Sequence, residues 1–175
     1  PDDREDGNHQ HLNPSHAPIP APMTTPRPAL EEIAKAIRTV PDFPKPGIQF
    51  KDITPVLADA RLFQGSVDLM TEGFQPGSVD AVVGIDARGF IFAAAAAMKL
   101  QAGFIPVRKK GKLPYRTHEQ EYALEYGTAT VAIHVDALKP GSRVILVDDL
   151  LATGGTAGAA AALVERLGAK ILQIS

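Results

Sequence analysis

From Val144 to Thr156 the chain reads V-I-L-V-D-D-L-L-A-T-G-G-T, and no other stretch narrows the possible folds as much. Val144, Ile145, Leu146 and Val147 form an unbroken apolar run, as expected of a parallel strand covered on both faces. Asp148 and Asp149 stop that run abruptly. Leu150 and Leu151 follow, and Ala152, Thr153, Gly154, Gly155 and Thr156 make a small, hydroxyl-bearing turn. From Ala157 the pattern becomes helical, with Ala160, Leu163, Val164 and Leu167 on one face. Strand, turn and helix follow in order, with the polar groups at the carboxyl end of the strand. In open α/β sheets that is where ligands bind.

The turn has a chemistry of its own. Two glycines let backbone N–H groups approach an anion closely, and the helix that follows adds the positive end of its dipole. Thr153 and Thr156 can donate to the same phosphate. Two carboxylates just upstream would repel a second phosphate but suit vicinal hydroxyls or a hydrated Mg²⁺. A ligand with a phosphate at one end and a diol nearby is a ribose 5-phosphate. The bland alternative is an ordinary strand-to-helix turn with solvated acids. A P-loop is excluded, because no Gly-Lys-Ser/Thr follows the glycines.

The run V-D-D-L-L-A-T-G-G-T resembles the ribose-phosphate signature of the type I phosphoribosyltransferases, in the form used by the adenine-specific members. The resemblance implies a doubly wound, mostly parallel α/β sheet with a small N-terminal hood. It implies a transfer of the 5-phosphoribosyl group from 5-phosphoribosyl 1-diphosphate (PRPP) to adenine, giving AMP and diphosphate in purine salvage. Mg²⁺ would be carried through the substrate diphosphate with no direct protein ligand, and the protein would be a homodimer. Two alternatives stand beside this: a transferase for another base such as xanthine, and a PRPP-sensing regulator that does not turn it over.

Composition agrees with an α/β enzyme. A chain of 175 residues, 45% hydrophobic, suits one domain with a sizeable core. A net charge of −2 gives no argument for nucleic acid or a membrane surface as partner. With no cysteine, neither a disulfide framework nor a thiolate metal site can form. The longest apolar run, Phe90 to Met98, is less than half the ~20 residues of a membrane span. No signal peptide pattern is visible, and cytoplasm is the default.

Residues 1–28 differ from the rest. They hold seven of the 15 prolines and three of the five histidines, and the first aromatic in the chain is Phe43. Such a segment buries too little apolar surface to offset ordering, so it reads as a disordered Pro/His-rich extension. His9, His11 and His16 lack the spacing framework of a metal site. The transferase domain is expected over 29–175.

Leu30, Ile33, Ala34 and Ile37 keep helical spacing, with Glu31 and Glu32 where the dipole favours them. The segment from Pro41 to Thr54 carries three prolines and two phenylalanines and reads as extended, with Pro46-Gly47 as the centre of a type II turn. By resemblance it is the hood, and backbone groups near Gln49 and Lys51 read the purine edge. Asp59 can cap a helix running to about Phe74, which Gly65 weakens.

Asp80 to Ile85 reads as a buried strand ending in the turn Asp86-Ala87-Arg88-Gly89, followed by an alanine-rich helix to about Leu100. D-A-R-G-F matches the family's diphosphate loop, which assigns Arg88 to the diphosphate. Phe104 to Val107 is a further strand, where Pro106 suggests an edge or an end. Arg108, Lys109, Lys110, Lys112 and Arg116 put five cations within nine residues. A departing diphosphate needs such charge, and the match of Arg108 to Pro114 with R-K-x-G-K-L-P implies that Lys109 and Lys112 serve it.

Tyr115 to Tyr122 is polar and reads as a mobile lid. Thr128 to His134 alternates as a strand, with His134 a packed strand residue. In A-L-E-Y-G, Glu125 is the candidate for acid–base work, because adenine must lose its N9 proton or gain one at N7. With Asp148 and Asp149 it completes the expected catalytic set. Lys170 to Ser175 reads as a strand at the point where the sequence ends. The family pattern implies further C-terminal strand structure and an apolar purine contact, so the domain is expected to be C-terminally incomplete there.

Overall fold

The computed structural model describes residues 26–124 and 127–175. The expected N-terminal extension, its three histidines and Glu125 all lie outside the described residues, apart from 26–28.

An N-terminal group of elements comes first. Helix α1 (Leu30–Ala36) leads into strand β1 (Arg38–Pro41), which pairs antiparallel with β2 (Gln49–Asp52) as a two-stranded sheet. The connection turns at Pro46-Gly47, where Gly47 has φ 87° and the N–H of Ile48 donates to the carbonyl of Lys45 at 3.2 Å. That is the expected type II turn. The extended segment is therefore a hairpin. Its prolines break the alternation by which strands are recognised.

Helices α2 (Thr54–Ala58) and α3 (Ala60–Met70) follow. Asp59 caps α3 as expected, its carboxylate accepting from the N–H groups of Arg61 and Leu62 at 2.9 and 3.0 Å. The helix stops at Met70 rather than near Phe74. The Thr71 hydroxyl turns back onto the Val67 carbonyl at 2.7 Å, and Gly73 at φ 85° carries the chain away. α3 runs unbroken through Gly65, which receives a neighbour, since a Cβ there would clash with the Pro28 ring.

The main body is a six-stranded sheet in the order β5-β6-β4-β3-β7-β8. Its members are β3 (Ala81–Ile85), β4 (Gly103–Lys109), β5 (Thr117–Ala123), β6 (Thr128–His134), β7 (Arg143–Val147) and β8 (Lys170–Ile174). β3 runs parallel to both β4 and β7, and β7 runs parallel to β8; β6 pairs antiparallel with β4 and β5. Alternate residues of the central strands face opposite helices. Val83, Ile85, Val144 and Leu146 pack under α5 (Gly155–Arg166), whereas Val82, Ile145 and Val147 pack under α3 and α4 (Gly89–Leu100). Burial on both faces explains why β3 and β7 were legible as continuous apolar runs.

Two readings are corrected. Pro106 marks neither an edge strand nor a strand end, because β4 is interior and continues to Lys109. The Val107 carbonyl accepts from Asp86 N–H on the β3 side, so the Pro106 nitrogen faces the other way, toward β6. There β6 pairs only with Arg108 and Lys109, and the missing N–H has no partner to disappoint. The stretch expected to be a lid is mostly β5, paired with β6 from Thr117 to Ala123. It is polar because it forms one edge of the sheet, and the other edge is β8.

Candidate active site

Two parallel strands deliver the site. β3 and β7 end side by side, and their connections into α4 and α5 form facing walls of a cavity of about 650 Å³. Asp86, Ala87, Arg88, Lys109, Tyr122 and Leu124 line it together with 148–157. The two turns touch closely. A Cβ at Gly89 would fall 2.7 Å from Asp148 Oδ1 and 3.1 Å from its Cα, so a side chain there would push the carboxylate aside.

The glycine turn ends with Gly154 at φ 80°, the left-handed conformation that glycine adopts at low cost, and α5 begins at Gly155. The N–H groups of that first turn have no intrahelical acceptor. They make an anion site with the dipole behind them. Thr153 is exposed and Thr156 half-buried beside them.

The two acids are in different surroundings. Asp149 N–H donates to Asp148 Oδ1 at 2.9 Å. Burial pushes the Asp148 carboxyl up to about 6; that hydrogen bond opposes the rise and the nearby Asp149 charge adds to it. The Asp149 side chain is 7% exposed, with Oδ2 2.8 Å from Arg88 Nη2. The contact lacks hydrogen-bond geometry, and Oδ2 is buried with no hydrogen-bond donor among the described residues. An acceptor left in that state suits a ligand hydroxyl.

Arg88 stands between two spaces. Besides Asp149, its guanidinium lies 5.0 Å over the Phe50 ring and donates to the Lys51 carbonyl at 3.5 Å. With Asp149 and Leu150 it also lines a second cavity of about 270 Å³, walled by Ala34, Ile37, Lys51 and Ile53. Of the two hood residues, Lys51 reaches this space, its Nζ held by Thr39 Oγ1 at 2.8 Å. Gln49 is exposed and lines neither cavity.

The five cations do not form one cluster. Lys109 alone of them lines the large cavity. Arg108 donates to Asp86 Oδ2 and to the Lys112 carbonyl, both at 3.0 Å, and Lys110 pairs with Glu119 at 2.7 Å. Arg116 stacks on Tyr115 at 5.5 Å, and Lys112 is exposed in the turn after β4. His134 receives the Tyr115 N–H at 3.4 Å, as a packed strand residue would.

Sequence reading did not select Asp86 and Tyr122. Asp86 carried a signal, since like Asp148 it follows an apolar strand directly; Tyr122 carried none. Among the described residues no group of three His, Cys, Asp or Glu side chains could cage a metal ion. Two adjacent carboxylates with one unsatisfied oxygen are oxygen donors of the kind that a hydrated Mg²⁺ accepts.

This architecture has known counterparts. The model of the phosphoribosyl transferase domain matches residues 57–175. The adenine phosphoribosyltransferase of Acidothermus cellulolyticus is 59% identical over 145 residues, covering 83% of this chain and 82% of that protein. The crystal structure of adenine phosphoribosyltransferase from Rhodothermus marinus superposes with a TM-score of 0.79 at 54% identity, covering 83% of this chain and 82% of that one. The Saccharomyces cerevisiae enzyme, complexed with an imino-altritol bisphosphate and adenine, gives a TM-score of 0.74 at 39% identity, covering 83% and 88%. A doubly wound sheet, a glycine turn beneath paired acids and these likenesses agree: the chain belongs to the phosphoribosyl transferase family.

Proposed function

We propose that this chain transfers the 5-phosphoribosyl group of PRPP to adenine, releasing AMP and diphosphate in purine salvage. The observation that carries the proposal is the single cavity lined by Asp148, Asp149, the 152–156 turn, Arg88 and Lys109. The choice of adenine is supported by the relatives bearing that name and by the yeast complex with adenine. We take the transferase unit to run from about residue 29 through the described C-terminal strand.

In this reading Ala152, Thr153, Gly154, Gly155 and Thr156 hold the 5-phosphate through N–H and hydroxyl donors. Asp148 and Asp149 accept from the ribose hydroxyls, and their charge offsets the positive charge that develops at C1 as the C1–O bond to diphosphate breaks. Arg88 and Lys109 bind the diphosphate from the cavity wall, and Lys112 reaches it from the turn after β4. Arg88 changes partners as it does so, because ribose hydroxyls take its place on Asp149. Mg²⁺ would be held by the diphosphate oxygens and, through water, by Asp148 and Asp149, and it supplies neutralising charge to the leaving group. Adenine N9 then bonds to C1 and gives up its proton, with Glu125 as the assisting carboxylate. The base lies against the hood, read by backbone groups of Gln49 and Lys51.

The charged substrate crosses no bilayer unaided, and no helix among the described residues is long and apolar enough to span one. Cytoplasm is the compartment proposed. A homodimer is proposed across α4, whose outer face carries Ile91 at 41% and Met98 at 81% exposure. An exposed apolar helix face belongs under cover, and a second copy is the proposed cover. Light scattering after size exclusion tests this: a dimer that Met98→Glu dissociates is expected, and a monomeric parent chain contradicts it.

The activity is tested by incubating the chain with adenine and PRPP. AMP and diphosphate should form in equal amounts with Mg²⁺, and the rate should collapse with EDTA. Tight PRPP binding without any AMP would instead support the sensing alternative.

A further inference from the structure

One wall of the large cavity has no role in the reaction as proposed. Tyr122 lies near the end of β5, opposite Ala129 of β6, and its ring is half-buried against the core cluster that includes Ala157 and Ala160 of α5. It lines the cavity with 152–157. A Cβ on Gly155 would fall 3.1 Å from Tyr122 Cδ2 and 3.2 Å from the Ala123 carbonyl. The glycine turn is therefore seated directly on the end of β5. Just upstream of the turn, Leu150 and Leu151 are 51% and 72% exposed.

We infer that Tyr122 is a positioning residue for the 5-phosphate: its ring is the backstop that holds the turn and the first N–H groups of α5 aimed into the cavity. This deepens the phosphoribosyl reading and rests on it. A loop whose donors are backbone groups has few side-chain anchors of its own, so its precision comes from what it leans on. Displacing such donors by about 1 Å costs up to roughly a hundredfold in function. The ring matters here and the hydroxyl does not. The close approach also ties Gly155 to Tyr122, because a larger residue at either position would push the other.

The test is calorimetric titration with ribose 5-phosphate, together with steady-state kinetics. Tyr122→Phe should bind within about twofold of the parent, whereas Tyr122→Ala should bind roughly 10- to 100-fold more weakly. The KM for PRPP should rise in step while the KM for adenine stays within about twofold, a split that general loosening of the fold would not produce. Tyr122→Leu keeps an apolar side chain against α5 and should weaken binding at an unchanged Tm, which covers an Ala variant that fails to fold. Gly155→Ala combined with Tyr122→Ala should lose less than the sum of the two single losses. Parent-like affinity in the Leu variant, or a Phe variant as weak as Ala, overturns the inference. So does a parallel rise in both KM values. Failure of the parent chain to bind ribose 5-phosphate would strike the phosphoribosyl reading itself and this inference with it.

Discussion

The two sides of the site are built on different principles. The side proposed for the phosphoribosyl group hangs on the carboxyl ends of β3 and β7, interior strands of the sheet, with side chains and one glycine turn lining it. The base side is a two-stranded hairpin whose residues are mostly exposed, and in our proposal it reads the base with backbone groups. Arg88 joins them, touching Asp149 on one side and Phe50 and the Lys51 carbonyl on the other. In that proposal, chemistry that needs particular side chains is kept on the buried sheet, and base reading by backbone is kept on the exposed hairpin.

The largest expected effect attacks the sheet side. Gly154→Val or Gly155→Val should abolish PRPP binding with the fold intact, since each lost hydrogen bond to a charged phosphate costs about 1.5–3 kcal/mol. Calorimetric affinity close to the parent's would end the phosphate assignment. Glu125→Gln comes next and should lower turnover roughly 10²–10⁴-fold while hardly moving PRPP affinity. Unchanged kcat with chemistry rate-limiting would leave Glu125 without a role in proton transfer.

Asp148 gives an intermediate effect with a distinct pH signature. Burial raises its carboxyl from the ordinary 3.8 to about 6, so the folded chain holds that proton more tightly than the unfolded chain. Its contribution to stability is greatest below 3.8, declines as pH rises to about 6, and is level above that. Asp148→Asn should therefore raise Tm at pH 8, with the gain fading toward pH 4. PRPP affinity of the parent should weaken as pH falls below about 6, and the Asn variant should show a shallower fall, keeping only the part that comes from protonation of the ligand's own phosphate. The smallest effects belong to the hood. Gln49→Ala and Lys51→Ala should raise the KM for adenine by about threefold or less, since the lost atoms are not the reading atoms. A large rise would transfer base recognition to the side chains.

The same contrast governs what the sequence disclosed. β3 and β7 were legible because burial on both faces leaves an unbroken apolar run, α4 because of its long alanine-rich stretch, and α5 because one buried face leaves a helical period. The acids and the glycine turn were legible as cavity-lining residues because two carboxylates and paired glycines stand out at the end of an apolar strand. β1 and β2 were hidden by Pro41, Pro44 and Pro46, and β5 by its polar composition at a sheet edge. The cation run from Arg108 to Arg116 could not be sorted from the sequence, because charge along a chain does not say which partner each side chain finds. Arg108 finds Asp86 and Lys110 finds Glu119, which leaves Lys109 on the cavity wall. The Arg88–Asp149 pair joins residues far apart in sequence and had no local signal at all.

The central claim is that the cavity transfers a phosphoribosyl group and the hood directs it to adenine. Initial rates with PRPP and Mg²⁺, measured separately with adenine, guanine, hypoxanthine and xanthine, test both halves together. AMP formed from adenine, with the other three bases slower by orders of magnitude, is the predicted result. A nucleotide formed preferentially from xanthine or another oxopurine, or no nucleotide from any base despite PRPP binding, would contradict it.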